Sequence, residues 1–506
     1  MLIHVLRESA RKHAEKTAVI YDNLRVSYKE LYDDVTRLSN GLRSLGIKQG
    51  DCLALILPNC PEFIAGFYAA AKLNATLLLV NPALAEAEIK YYISDSKAVA
   101  IITDPLRADA CRNIIAEAEK KIELIVTDRT TLPDICFSDL VKDEKLDDKN
   151  DIFEGDVIYQ YSSGSTGRPK RVVRTQKNLY HEASNFHCTA NTSFADNILC
   201  MVPLFHAHGL GNCLLAATYS GATLTILEDL KKNGEPMKAP FVLRLQRVLE
   251  LIEKEKITIL PGVPFMFSAL ADIPHDYQVD TSKLRLVFSA GNFLPKETFD
   301  KFTNRFGIPL RQLYGCTEAG SFAINLEQED KIHFDSVGRP MNNNEVKIVD
   351  ENGNSLPDGA IGEIAIKSLA LTRGYCNMPE LNKEAFREEF FLTGDLGKKD
   401  KEGNLYITGR KKIFIETVGN KVDPLEVEDV LVTHPKVKEA VVVGIKCPFK
   451  GETIKAVIVP REKCEEREII LYCKNRLADF KVPRIIEFRE VIPKSPLGKI
   501  LRKDLV

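Results

Sequence analysis

Five short segments carry side chains able to grip a nucleotide. The first, YSSGSTGRPK at 161–170, sets four hydroxyls (Ser162, Ser163, Ser165, Thr166) and Lys170 around Gly164 and Gly167. Glycines let backbone N–H groups approach an anion, hydroxyls donate to phosphate oxygens, and lysine adds charge. The spacing is not that of the strict P-loop, G-x-x-x-x-G-K-[ST]. Gly164 and Gly167 stand three apart, and Arg171 follows Lys170 where a hydroxyl is required. The second segment, YGCTEAG at 314–320, offers a tyrosine face for adenine, a threonine hydroxyl for phosphate and a glutamate for Mg2+. TGDLG at 393–397 holds an aspartate able to accept both hydroxyls of a ribose. ITGRKKIF at 407–414 and PKSPLGKILRKDL at 493–505 are basic. Taken singly, each reads equally as a turn, a charged hairpin or a basic tail. Five in this order point to one nucleotide site.

The elements that must position them read as α/β. Between 17 and 150, apolar runs such as CLALILP, AVAIITD and IELIVTD alternate with helical stretches. In SYKELYDDVTRLSNGLRSLG, Leu31, Val35, Leu38 and Leu42 recur at helical spacing and Gly46 follows as a stop. Alternation of this kind predicts doubly wound, mostly parallel sheets covered by helices. The rhythm resumes from 195 to 325. From 336 the turn clusters ENGN and PDGAIG between β-type runs predict a small antiparallel β unit. After Arg410 a mixed-charge segment with its own strands and helices predicts a small α/β domain. A chain of 506 residues exceeds one core, so the expected division is 1–409 and 410–506.

Composition narrows the class. A net charge of −2 gives no global attraction to nucleic acid or to an anionic membrane. No apolar run approaches a membrane span, and MLIHVLRESARKHAEK lacks the apolar core of a signal peptide. Twelve cysteines without a CxxC pair predict reduced, packed thiols in a cytoplasmic protein.

In these five motifs, and along essentially its whole length, the chain resembles the acyl-adenylate-forming (AMP-binding) enzymes, in their acyl- and aryl-CoA ligase branch. The resemblance implies that a carboxylate attacks the α-phosphate of ATP to give an acyl-adenylate and pyrophosphate, and that a thiol then displaces AMP. It implies a large N-terminal domain and a small mobile C-terminal domain hinged near Lys412. Residues 162–167 and Lys170 would hold the pyrophosphate end, with Tyr314, Gly315, Gly291 and Asn292 beside adenine. Thr317 would touch the α-phosphate and Glu318 would ligate Mg2+. Asp395 and Arg410 would hold the ribose. Lys499 would reach between the two reacting anions.

The same resemblance places the acyl pocket at VPLFHAHGLG (202–211), PGVPFMF (261–267) and SAGNFL (289–294), hence His206, Gly209, Val263 and Ser289. His206 joins Lys499, Thr317 and Glu318 as a catalytic candidate. No acid lies between Pro203 and Ser220 to pair an amino-acid ammonium, so amino acids are not expected. Fatty or aryl acids are. A dicarboxylate of the malonyl type would need a pocket cation, for which Arg285 and Arg311 are the candidates. Gly419, Phe480, Lys481 and Arg484 would meet coenzyme A; the alternative thiol is the phosphopantetheine arm of an acyl carrier protein. Luciferase-like oxidation is the reading from another class. Against the usual pattern stand Arg171 and Val418 in place of glycines, Gln176 in place of a histidine, Asn292 and Phe293 beside adenine, and Leu497 near Lys499.

Overall fold

The structure, a computed structural model, describes residues 1–506 apart from 131–133, 142–152, 163–168, 233–234, 238, 275–276, 412–413, 448–450, 494–499 and 501. The chain forms two compact units. One comprises Met1–Asn81, Ser96–Gln160 and Val172–Gly409; the other comprises Pro82–Asp95, Tyr161–Arg171 and Arg410–Val506.

In the first unit the helix Tyr28–Ser44 starts at a capping box, Ser27 with Glu30, and buries Leu31, Val35, Leu38 and Leu42. The apolar runs that alternate with helices form a seven-stranded sheet. Within it Cys52–Ile56 pairs in parallel with Thr76–Leu79 on one side and Ala98–Thr103 on the other. Every residue of Cys52–Ile56 is buried. That explains a continuous apolar run where one exposed face would have produced alternation.

A second, longer sheet carries the candidate site. Strands Thr223–Ile226, Asn197–Cys200, Ile259–Gly262, Leu286–Ser289 and Arg311–Cys316 lie side by side, all parallel. Gly320–Ile324 then folds back antiparallel on Arg311–Cys316 and pairs onward, again antiparallel, with Ser336–Pro340. The antiparallel region expected from residue 336 therefore begins one hairpin earlier. It is continuous with the parallel sheet, which spares Arg311–Cys316 an open edge.

In the second unit, Val437–Cys447 and Gly451–Pro460 form a long hairpin, flanked by Ile415–Thr417 and, in parallel, by Ile485–Phe488. Side chains alternate across it. Val442, Ile454, Ala456 and Ile458 pack with the helices, whereas Val441, Val443, Val457 and Val459 pack with Ile492 and Leu505. Arg502 donates to Glu428 at 2.6 Å and to the carbonyl of Val442 at 2.7 Å, anchoring the segment just past Lys499.

Candidate active site

Four neighbouring parallel strands end at the predicted residues. His206 follows Asn197–Cys200, Val263 follows Ile259–Gly262, Ser289 ends Leu286–Ser289, and Tyr314 to Glu318 close Arg311–Cys316. Ligands in open α/β sheets collect at the carboxyl ends of strands, and here those ends meet the parallel-to-antiparallel switch.

Tyr314 and Asp395 are both buried, and the Tyr314 hydroxyl donates to Asp395 Oδ2. Burial, then the Asp395 charge, push the Tyr314 phenol well above its ordinary range, so it stays a donor. Phe322 abuts the Tyr314 ring edge-on, with centroids 4.4 Å apart. The residue expected beside adenine and the residue expected on ribose are thus already linked. Thr317 is half-buried on the turn that follows. Glu318 is buried, and its Oε1 accepts from the Tyr375 hydroxyl at 2.8 Å.

The turn is held from below by an ion pair that the sequence did not announce. Arg174 and Glu182 are each 1% exposed and meet at 2.7 Å. Gly320 lies directly on the Glu182 carboxylate: a Cβ there would sit 2.1 Å from the carboxyl carbon, and φ is +68°. Only glycine meets both conditions.

His206 is exposed, and its Nδ1 accepts from the backbone N–H of His208. His208 is the buried one. Its Nε2 meets the Gly262 carbonyl at 3.1 Å and its Nδ1 meets Asn212 Nδ2 at 2.8 Å, while Asn212 Oδ1 accepts from Ser321. Burial lowers the His208 pKa to about 4, so the ring is neutral, with Nε2 donating. His208, Asn212 and Ser321 form a hydrogen-bonded chain that ties the end of Ile259–Gly262, through the helix Leu210–Leu215, to the start of Gly320–Ile324. Gly209 sits where a Cβ would be 2.1 Å from the Pro203 carbonyl oxygen. Gly291, exposed at φ +91°, and Asn292, half-buried, begin the loop after Ser289. Ser289 Oγ is buried with no partner among the described residues.

Arg285 and Arg311 are not pocket cations. Arg285 forks onto Asp196 with two 2.8 Å bonds and caps the carbonyls of Ala190 and Asn191. Arg311 donates to the carbonyls of Asn325 and Glu327. Gln176 is structural too: it accepts from Leu2 N–H and donates to Ala71 and Asn74.

In the second unit Lys170 is buried at the start of Lys170–Thr175, and Ser162 ends Asp156–Ser162. The Arg410 guanidinium lies 5.1 Å over the Phe414 ring. Gly419 occupies a two-residue turn with Val418. Lys481, expected on coenzyme A, is 6% exposed and clamped between Glu88 at 2.6 Å and Glu426 at 2.7 Å. Burial alone would lower its pKa, but the two carboxylates outweigh it and hold the ammonium above its ordinary range. Its charge is already matched, and Phe480 packs against the core. Arg484 is exposed beside Asp479. Residues 163–167, Lys412 and Lys499 lie outside the described residues.

No group of three or more His, Cys, Asp or Glu side chains able to hold a metal occurs among the described residues. A nucleotide-borne Mg2+ needs less. Glu318 supplies a hard carboxylate oxygen, Oε2, that accepts from no described residue, and this donor type fits Mg2+. No helix among the described residues is long and apolar enough to cross a membrane.

Residues 6–376 match the AMP-binding enzyme family and residues 426–499 match its C-terminal domain. A 4-coumarate–CoA ligase of Oryza sativa subsp. japonica is 33% identical over 493 residues, 95% of this chain and 86% of that one. A long-chain-fatty-acid–CoA ligase of Bacillus subtilis is 29% identical over 541 residues, 99% of this chain and 93% of that one. The solved amide bond synthetase McbA from Marinactinospora thermotolerans superposes with a TM-score of 0.88 at 25% identity, covering 99% of this chain and 98% of that one. The chain belongs to the AMP-binding enzyme family, in its AMP-forming acid–CoA ligase branch.

Proposed function

We propose that the acid is an aryl-substituted one of the 4-coumarate kind, activated with ATP and passed to coenzyme A. The single observation that carries this reading is the 33% identity to a 4-coumarate–CoA ligase along nearly the whole chain. The apolar wall residues support it: Phe265 is half-buried, with its ring edge-to-face on Phe241 at 5.8 Å. Engagement of Arg285 and Arg311 elsewhere removes the cations named for a second carboxylate.

In the first step an acid oxygen attacks the α-phosphorus, and the bond to the bridging oxygen breaks as pyrophosphate leaves. Tyr314, Gly315, Gly291 and Asn292 hold adenine; Asp395 and Arg410 hold ribose. The Thr317 hydroxyl donates to the α-phosphate, and Lys170 with residues 162–167 receives the leaving group. Lys499 would supply its charge between the two anions, where charge is most in need of neutralising. Mg2+, when bound at Glu318, neutralises phosphate charge. His206, Gly209, Val263 and Ser289 border the acyl group. In the second step the thiol sulfur attacks the acyl carbon, AMP leaves, and the thiol proton is lost. Gly419 lines the thiol path and Arg484 meets the nucleotide end of coenzyme A. Lys412 is the hinge between the two steps.

The test is a thioester assay with ATP, coenzyme A and a panel of 4-coumarate, ferulate, palmitate and malonate, read by mass spectrometry. The reading predicts aryl thioesters at the highest kcat/KM. Palmitoyl-CoA as the dominant product would replace it with a fatty-acid ligase. A phosphopantetheinylated carrier protein, or an amine, loaded in preference to coenzyme A would replace the acceptor.

A further inference from the structure

We propose that Tyr375 is a positioning residue for the adenylation step: its hydroxyl fixes the Glu318 carboxylate in the orientation that receives the nucleotide's Mg2+. The proposal rests on the reading of Glu318 as the Mg2+ ligand.

A free glutamate samples many rotamers, and ordering it costs entropy at the moment of binding. Glu318 has lost that freedom in advance. Tyr375 Oη donates to Oε1 at 2.8 Å, and the backbone N–H of Thr372 donates to the Glu318 carbonyl at 2.7 Å. One short segment therefore grips residue 318 at both its side chain and its main chain, leaving Oε2 for a ligand.

That segment is itself pinned. The Asn382 side chain takes both backbone groups of Tyr375, accepting from its N–H at 2.7 Å and donating to its carbonyl at 2.8 Å. Gly374 makes this approach possible, for a Cβ there would lie 2.8 Å from Asn382 Oδ1 and φ is +131°. The Thr372 hydroxyl donates to the carbonyl of Val173, and Tyr375 forms a β-bridge with Val172. The Tyr375 ring is buried against Phe386. Val172 and Val173 come directly after Lys170 and Arg171 on the same strand. The strap thus ties the candidate metal carboxylate to Val172 and Val173. Groups of this kind, one bond behind a ligand, typically govern metal affinity by about 10- to 100-fold.

Tyr375→Phe keeps the ring packing and removes only the donor. Wild type, Tyr375→Phe and Glu318→Gln are compared by acid-dependent ATP–pyrophosphate exchange over a range of free Mg2+. Mn2+ binding with ATP, without acid, is followed by electron paramagnetic resonance. The expected result for Tyr375→Phe is a rise of about tenfold in half-saturating Mg2+, weaker Mn2+ binding by a similar factor, and a kcat mostly recovered at saturating metal. A purely structural hydroxyl would lower activity equally at every metal concentration and leave Mn2+ binding unchanged, which overturns the proposal. A shift in Glu318→Gln without one in Tyr375→Phe overturns the proposal alone. Unchanged metal dependence in Glu318→Gln overturns the Glu318 assignment, and the proposal with it.

Discussion

Arg171 donates to the backbone oxygen of Asp95 at 2.6 Å and lies 3.3 Å from its carboxylate, and the Tyr161 hydroxyl donates to that same carboxylate. Tyr161 and Arg171 flank the candidate phosphate loop, so one aspartate holds the residues on either side of it. Tyr92, three residues before Asp95 on the helix Glu86–Ser96, stacks on Tyr161 with centroids 4.0 Å apart. The cation that stands where the family has glycine is a loop anchor. Arg171→Gly is expected to cost about 2 kcal/mol of stability, the scale of a hydrogen bond to a charged group, and to raise KM for ATP several-fold. Denaturant unfolding and exchange kinetics check the two parts; an unchanged KM would separate the anchor from nucleotide binding. His208 predicts a pH dependence. Its pKa is about 4 when folded, below the ordinary 6.5, so the unfolded chain binds the proton first as pH falls. The contribution is constant above pH 6.5 and is lost progressively from 6.5 down to 4, by roughly 3 kcal/mol in all. Unfolding midpoints of wild type and His208→Asn measured at pH 7 and pH 4.5 should converge at the lower pH; a constant gap would contradict the neutral buried ring.

At the scale of elements, the hairpin Ile415–Thr417 to Asn420–Val422 turns on Val418 at φ +47° and Gly419 at φ +78°. Two consecutive positive φ values define a turn that favours Asn-Gly, and a β-branched residue in that region is strained by about 1–2 kcal/mol. Val418→Asn is expected to raise stability by about 1 kcal/mol, read as a higher denaturant midpoint; a fall would show that the valine makes compensating contacts. Strands, helices and their order were legible because the apolar periods of this chain are clean, as in Leu31, Val35, Leu38 and Leu42. The candidate nucleotide residues could be named from the sequence because they fall in short ordered motifs. What was not legible depends on partners far apart in sequence. Nothing near Lys481 reveals Glu88, 393 residues away, and nothing in RGYC marks Tyr375 as the partner of Glu318. The HAHG string gave two histidines but not their division of labour, because burial, not spacing, separates His208 from His206.

For the whole molecule, the proposed reaction runs in two steps that need different groups, with Lys499 assigned to the first. Lys499→Ala is expected to lower acyl-adenylate formation by at least about 10²–10³, the usual loss for a transition-state contact. Thioester formation from supplied acyl-adenylate should be nearly unchanged. Equal loss in both steps would contradict a division of labour between them. This chain is proposed to join an acid to AMP around Tyr314, Thr317 and Asp395. The most direct measurement is the exchange of labelled pyrophosphate into ATP, with Mg2+, no thiol, and 4-coumarate as the acid. Exchange is expected to require the acid and to disappear in Asp395→Ala. Folded enzyme that exchanges no label with any aryl or fatty acid, or exchanges it equally without one, would contradict it.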